Sequence, residues 1–335
     1  MNFPMDHVTK QLSERGIPYR QDVSLRAYSY FHTGGILGLL LSPQNRDQLI
    51  ECIKILGKGE ITYKVIGETS NLLFLDDTDY TCCITTRHLS QIEHRQSDQR
   101  LVVETGAMLP DAARYALAEG IDGFAGLEGI PGTIGGAVFM NAGAFGFSIA
   151  RVLDSVEVIL PDGQLETLPV SALSLQYRNS IFKKGDHPGI IVTAIFHARP
   201  GNPETIYRKM ETFHAKRHKY NEYMYPNLGS AYSGSIYRAL AKRDRFYGIV
   251  SSLYLFLNYK FRIFRRESPI NRKWINDFTV KRFGIRFGKQ PFSDKTMNTL
   301  INNGHHTDEH LAYLQQIENL IGSSVPIENE IVKPY

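Results

Sequence analysis

The period of apolar and polar positions changes often along this chain, and each change marks an element. Val8, Leu12 and Ile17 predict a short helix within residues 1–20. An extended segment from Ser24 to a double glycine, Gly34-Gly35, comes next. Gly38 to Leu41 is an apolar run stopped by Ser42-Pro43 and predicts a buried strand. From Asn45 to Leu56, Leu49, Ile50, Ile53 and Leu56 share one helical face, with Asn45 as N-cap. Thr62 to Ile66 and Leu72 to Leu75 predict strands joined by the turn Gly67-Glu-Thr-Ser-Asn71. Cys82 to Thr86 and Leu101 to Glu104 predict short strands, and Pro110 to Ala118 a helix. Alternation through Val156, Val158 and Leu160, the turn Pro161-Asp-Gly163 and then Leu165 to Leu168 predict a hairpin. Thr193 to His197 adds a strand, and Glu204 to Lys219 a helix with Ile206, Met210 and Phe213 on one side. Residues 225–235 read as a loop, 307–321 as a helix capped by Thr307, and 327–332 as a closing strand. Many short strands and few helices make the class α+β.

Composition narrows this only a little. The chain has 335 residues, 42% hydrophobic and 21% charged, which predicts a soluble globular protein of two or three domains. Cys52, Cys82 and Cys83 are odd in number, two are adjacent, and none has zinc-site spacing; they predict reduced core thiols. His305-His306 reads as a polar turn, and no metal site is expected. Nothing at the start resembles a signal peptide and no apolar run is long enough to span a bilayer, so a cytoplasmic protein is expected. The net charge of +4 gives no reason to expect a nucleic-acid partner, but it is unevenly spread. Residues 237–290 hold 14 Lys+Arg and 3 acids, a net +11, so the other 281 residues sum to +4 − 11 = −7. Aromatics are interleaved there from Phe246 to Phe264. Three readings of this segment stay open: a helix packed on the last domain or on a second subunit, a peripheral membrane contact through 244–268, or a clamp on a diphosphate.

The chemistry concentrates in a glycine-rich stretch, Glu128-Gly-Ile-Pro-Gly-Thr-Ile-Gly-Gly-Ala-Val-Phe-Met-Asn-Ala-Gly-Ala-Phe-Gly146. Ordered glycine is entropically expensive, and is kept where the backbone must turn or where something approaches it closely. Unhindered N–H groups in such a loop make a phosphate cradle. The donor-rich turn at 67–71 is a second cradle, so the pair suits a diphosphate held between two loops.

Two further motifs, Gln176-Tyr-Arg-Asn-Ser-Ile-Phe182 and Tyr225-Pro-Asn-Leu-Gly-Ser-Ala-Tyr232, and a Glu-x-Glu at 328–330 complete a set. Together these resemble the MurB family, the UDP-N-acetylenolpyruvoylglucosamine reductases, over roughly residues 24–236 and 291–332. The resemblance implies an FAD-binding domain of the vanillyl-alcohol-oxidase (PCMH) type over 1–200, in two subdomains at about 20–85 and 86–200. A MurB-type α+β substrate domain over 201–335 would follow, with the basic aromatic insert at about 238–270. It implies FAD contacts from Val65, Ile66, Gly67, Glu68, Thr69, Ser70, Asn71, Pro131, Gly132, Gly135, Gly136, Asn141 and Gly143. Tyr177, Arg178, Ser180 and Ser230 would bind substrate. The implied reaction passes hydride from NADPH or NADH through FAD to the enolpyruvyl group of a UDP-sugar, in peptidoglycan precursor synthesis. Arg178 would stabilise the carboxylate, Ser230 would donate the proton, and Glu330 would hydrogen-bond the developing enol. Ser233 and Ser235 compete with Ser230, and Glu328 competes with Glu330 from the same strand face.

The likeness weakens after the serine loop. In place of the family's Asn-Pro turn and its Gly-Leu-Lys-Gly stand Tyr237-Arg-Ala-Leu and the insert. Ser293-Asp-Lys295 matches, but the family's next histidine is Thr296 and its Gly-Gly-Ala is Gly288-Lys-Gln. The altered part lies on the substrate side. A relative acting on a different nucleotide-sugar of a capsule or surface glycan therefore stands as the alternative reading.

Overall fold

The computed structural model describes residues 5–260, 271–322 and 325–335. The chain opens with the helix Met5–Glu14, which buries Val8 and Leu12, and then enters the strand Tyr19–Ser24. That strand is antiparallel to Ile36–Leu41, which runs parallel to Tyr80–Thr85, which in turn runs parallel to Lys64–Ile66. The period of two decides what each face buries. Leu39, Leu41, Cys82 and Ile84 pack under the first helix and the helix Arg46–Lys58, while Leu40 and Cys83 face Phe74 and Val332. Adjacent Cys82 and Cys83 thus point to opposite faces, and all three cysteines are free and buried. Asn45 caps its helix by accepting the Gln48 N–H, as its position predicts.

The second sheet is antiparallel throughout, in the order Leu165–Pro169, Leu153–Ile159, Ile190–His197, Arg100–Glu104, Ile92–Arg95. The expected hairpin is its first pair. Its buried face meets the helix Leu109–Ala118 and a helix absent from the sequence reading, Ile134–Met140. The glycines hid that helix, because they are poor helix formers. It forms because Thr133 caps it and Ile134, Ala137 and Val138 bury one side, and it stops at Asn141 with φ 43°.

The remaining chain builds a three-stranded sheet, Asn227–Ser230, Thr296–Ile301, Phe292–Ser293, backed by the helices Ile236–Arg243, Lys273–Phe283 and Thr307–Ile321. Residues 225–235 are therefore not all loop, since a strand leads up to Ser230. The last helix starts at Thr307 but is capped by His306, which closes a capping box with Glu309. Thr307 is occupied elsewhere. Its hydroxyl accepts the Asp76 N–H at 2.9 Å, and its own N–H donates to the Asp76 carboxylate at 2.9 Å. Within the segment 237–270, the helix Arg245–Leu255 and a π-helical turn at Phe256–Lys260 are described, whereas 261–270, part of the proposed insert and of the 244–268 segment, lie outside the described residues. Finally, the strand Glu330–Val332 returns to pair in parallel with Leu72–Phe74 beside the first sheet. Among the described residues no helix is long and apolar enough to cross a membrane.

Candidate active site

A cavity of about 1410 Å³ runs from the two glycine-containing loops to the serine loop. It is larger than the roughly 300–1,000 Å³ of a site for one drug-sized ligand. Every expected cofactor contact except Asn141 lines it, as do Tyr177, Arg178, Ser230, Glu328 and Glu330.

The two loops are fastened to each other. The Ser70 hydroxyl donates to the Pro131 carbonyl at 2.8 Å, and Gly67 lies so close to Thr133 that a Cβ there would stand 2.3 Å from Oγ1. Thr69 sits at φ 59°, with its hydroxyl accepting the Tyr30 N–H. Glu68 is held by Arg87 at 3.1 Å. Among the described residues, the N–H groups of Glu68, Ser70 and Asn71 carry no protein hydrogen bond. That leaves a run of neutral donors at the cavity wall, a donor set that fits a diphosphate.

The glycines of the long stretch divide by job. Gly135 gives its N–H to the Thr105 carbonyl at 2.8 Å, and a Cβ would stand 1.8 Å from Thr105 Oγ1. Gly143 is crowded in the same way by the Phe147 carbonyl. Both are glycine because the fold leaves no room, and the Gly135 N–H is not available to a ligand. Gly136 also gives up its N–H, to the capping Thr133 hydroxyl at 3.4 Å, but a Cβ there would meet Thr133 Oγ1 only at 3.6 Å, so the space beside it is open to the cavity.

Two of the expected contacts have partners within the fold. Asn141 does not line the cavity; its Nδ2 donates to the Gln176 carbonyl at 2.8 Å and so holds the Tyr177-Arg178 turn. Ser180 is fully buried, with its hydroxyl donating to the Phe139 carbonyl at 2.7 Å and accepting the Lys183 N–H as a helix cap. It shapes the turn and has no hydroxyl left for a substrate.

Arg178 occupies the left-handed region at φ 52°. Its Nε donates to Glu328 Oε2 at 3.0 Å, and the Tyr177 hydroxyl donates to Glu328 Oε1 at 2.5 Å. Burial, and then the bond to Glu328, push the Tyr177 hydroxyl pKa up. Glu328 is 8% exposed, and Glu330 faces Lys64 at 3.7 Å. The two acids do not share one strand face as expected, because the strand begins only at Glu330, and Glu328 lies before the bend at Asn329, beside the bridge of Ile327 with Tyr232. Asn71 and Asn329 bind this segment to the first loop: Asn71 Nδ2 donates to the Glu328 carbonyl, and Asn329 Nδ2 to Asn71 Oδ1. Of the competing serines, Ser235 is spent as the N-cap of Ile236–Arg243, whereas the Ser230 hydroxyl has no partner among the described residues.

Arg217 was missed by sequence reasoning. It continues the buried stripe of Ile206, Met210 and Phe213 at helical spacing, which was the available signal. It is 4% exposed, donates to the carbonyls of Glu128 and Gly126, and stands over the Phe145 ring at 5.5 Å. Burial lowers its pKa. Glu128, also buried, is met by Arg114 at 2.8 Å and His214 at 3.0 Å. The glycine stretch is thus pinned from behind by the helix Pro203–Tyr220.

The chain matches known proteins along most of its length. A family model described as FAD binding domain matches residues 38–169. The UDP-N-acetylenolpyruvoylglucosamine reductase of Streptococcus suis (strain 05ZYH33) is 33% identical over 222 residues, covering 66% of this chain and 72% of the relative. That of Lactobacillus helveticus (strain DPC 4571) is 31% identical over 221 residues, covering 66% and 73%. The crystal structure of UDP-N-acetylenolpyruvylglucosamine reductase (MurB) from Thermus caldophilus aligns with a TM-score of 0.68 at 23% identity, over 95% of this chain and 99% of that one, a likeness of fold. With the fold, the two fastened loops and these relatives together, the chain belongs to the UDP-N-acetylenolpyruvoylglucosamine reductase (MurB) family.

Proposed function

We propose that this protein is an FAD-dependent reductase that uses NADPH or NADH to saturate the enolpyruvyl group of a UDP-sugar in peptidoglycan precursor synthesis. The observation that carries this reading is one cavity holding both donor-rich loops, Arg178 with its acid, and a serine hydroxyl without a partner among the described residues. FAD, when bound, supplies hydride transfer. The N–H groups of Glu68, Ser70 and Asn71 hold its diphosphate, and the open space beside Gly136 lets it come close to the backbone. Arg178 uses Nε on Glu328 and keeps its terminal nitrogens for the substrate carboxylate, whose charge rises as the double bond is reduced. The Ser230 hydroxyl delivers the proton to the α-carbon, and Glu330 steadies the enol oxygen. The test is stopped-flow: the flavin absorbance is bleached with NADPH, and its return is followed on mixing with UDP-N-acetylglucosamine enolpyruvate. A flavin that bleaches but does not recover with this substrate rejects the reading.

The second reading, reduction or oxidation of another nucleotide-sugar, is favoured by one observation. Arg238, Leu255 and Arg272, from the region where the family likeness fails, line the same cavity. Recovery of the flavin signal with a different nucleotide-sugar, and not with the enolpyruvyl substrate, selects it.

A further inference from the structure

The two faces of the helix Arg245–Leu255 have different surroundings. Tyr247 and Ser251 are buried, and Tyr247 stacks on Phe278 of the helix Lys273–Phe283 with ring centroids 5.8 Å apart. Tyr254 stacks on Trp274 of the same helix at 5.0 Å. The other face presents Phe246, Ile249 and Leu253, and Phe256 and Leu257 of the following turn continue the stripe. All five are between 45% and 68% exposed. Single exposed apolar side chains are ordinary, but a continuous stripe of five marks a contact surface.

The charge of the segment that carries the stripe is one-sided in sequence. Asp244 is taken by Arg282 at 2.7 Å and by the Tyr247 N–H it caps, and Asp277 is met by Lys273 at 3.4 Å. With Glu267 these are the only acids in residues 237–290, against 14 Lys+Arg. Lys242, Arg245 and Lys281 are exposed and make no ion pair among the described residues.

We propose that this face docks the protein onto an anionic lipid surface. The apolar stripe enters the boundary between headgroups and acyl chains, and the cations meet lipid phosphates. Charge selects this occupant over two others. A second copy placed across a two-fold axis would set one net +11 segment against another, which is repulsive. A nucleic acid would satisfy the cations and leave the stripe in water. Leu255, on the same helix, lines the active-site cavity, so docking sets that cavity beside the bilayer.

The test is flotation of the full chain, loaded with flavin, on phosphatidylcholine vesicles with and without about 30% phosphatidylglycerol. Binding is expected to the anionic vesicles and not to the neutral ones, and to fall about tenfold from low to high salt. Replacing the stripe (Phe246→Ser, Ile249→Ser, Leu253→Ser) lowers partitioning at least ~tenfold while flavin content holds, since more than half of each side chain is in water until docking. Lys242→Glu with Arg245→Glu abolishes the anionic preference. No flotation, or equal flotation on both vesicles, overturns the proposal. So does a lipid-free dimer that the triple substitution turns into monomer, because the face would then be a protein–protein contact.

Discussion

Arg178, Glu328 and Glu330 divide the acid–cation work of the cavity wall, and substitutions can tell their parts apart. Glu328 holds Arg178 and Tyr177, so Glu328→Gln is expected to raise KM with kcat largely kept, because the arginine loses the charge that orients it. Glu330→Gln is expected to lower kcat instead, by about tenfold or more, if it meets the developing enol. Steady-state kinetics on the pair separates the two, and a KM effect from Glu330→Gln alone removes its assigned role. Ser230→Ala should cost about 10²–10⁴-fold in flavin reoxidation by substrate. Ser235→Ala should leave that rate alone and cost only a helix cap, about 0.5–2 kcal/mol of stability. The glycines give a second contrast. Gly135→Ala forces a Cβ into Thr105 and should unfold the protein or strip its flavin, whereas Gly136→Ala has room, folds, and should weaken flavin binding alone. Equal flavin affinity for Gly136→Ala and wild type, by fluorescence titration, argues against that face as a cofactor contact.

Elements with one uninterrupted pattern were readable from the sequence, and elements interrupted for a ligand were not. The hairpin at 153–169 and the helix Arg46–Lys58 follow from alternation, spacing and an N-cap, which act over a few residues. The helix Ile134–Met140 was hidden because its first turn holds two glycines, one demanded by Thr105 and one open to the cavity. Ser180 and Asn141 looked like ligand contacts because the type of a polar residue does not reveal its partner; only the folded turn shows that the Ser180 hydroxyl and the Asn141 Nδ2 each donate to a carbonyl. Thr307 was misread for the same reason, since its hydroxyl answers Asp76, 231 positions away. That pairing has a pH signature. Burial raises the Asp76 pKa, but the N–H of Gly34, Arg26 at 2.9 Å and the N–H of Thr307 outweigh it, and the net shift is downward. A lowered folded pKa means the contribution is fully present above the ordinary value of 3.8 and is lost as pH falls through the folded one. Asp76→Asn should therefore cost about 2–3 kcal/mol at neutral pH, with the gap to wild type closing only below the ordinary carboxylate range, as urea melts across pH would show.

At the scale of the molecule, the sequence disclosed the cofactor side better than the substrate side. Paired glycine loops are a local signal, but the cavity joins them to residues 177–178, 230 and 328–330, and no local pattern announces that junction. Glu328 entered only as the competitor of Glu330, yet it is the one that meets Arg178, because the chain bends before its strand begins. Ligand linkage offers a test of this long-range closure. Saturating FAD should raise the melting temperature of the whole protein in one transition, since the loops it would bridge belong to different sheets. Two separated transitions, with only one moved by FAD, would place the site within a single sheet's unit.

The return of the chain from Glu328 to the first loop also sets an order of events during synthesis. Asn71 is bound to the carbonyl of a residue 257 positions later, and Arg178 to the carboxylate of the same residue. While the ribosome is still making the intervening stretch, both loops are already exposed, with the acid that sets the arginine not yet translated. A nascent chain can therefore collapse around its two sheets long before this wall of the cavity is complete, and Arg178 gains its carboxylate partner only once residue 328 has cleared the exit tunnel.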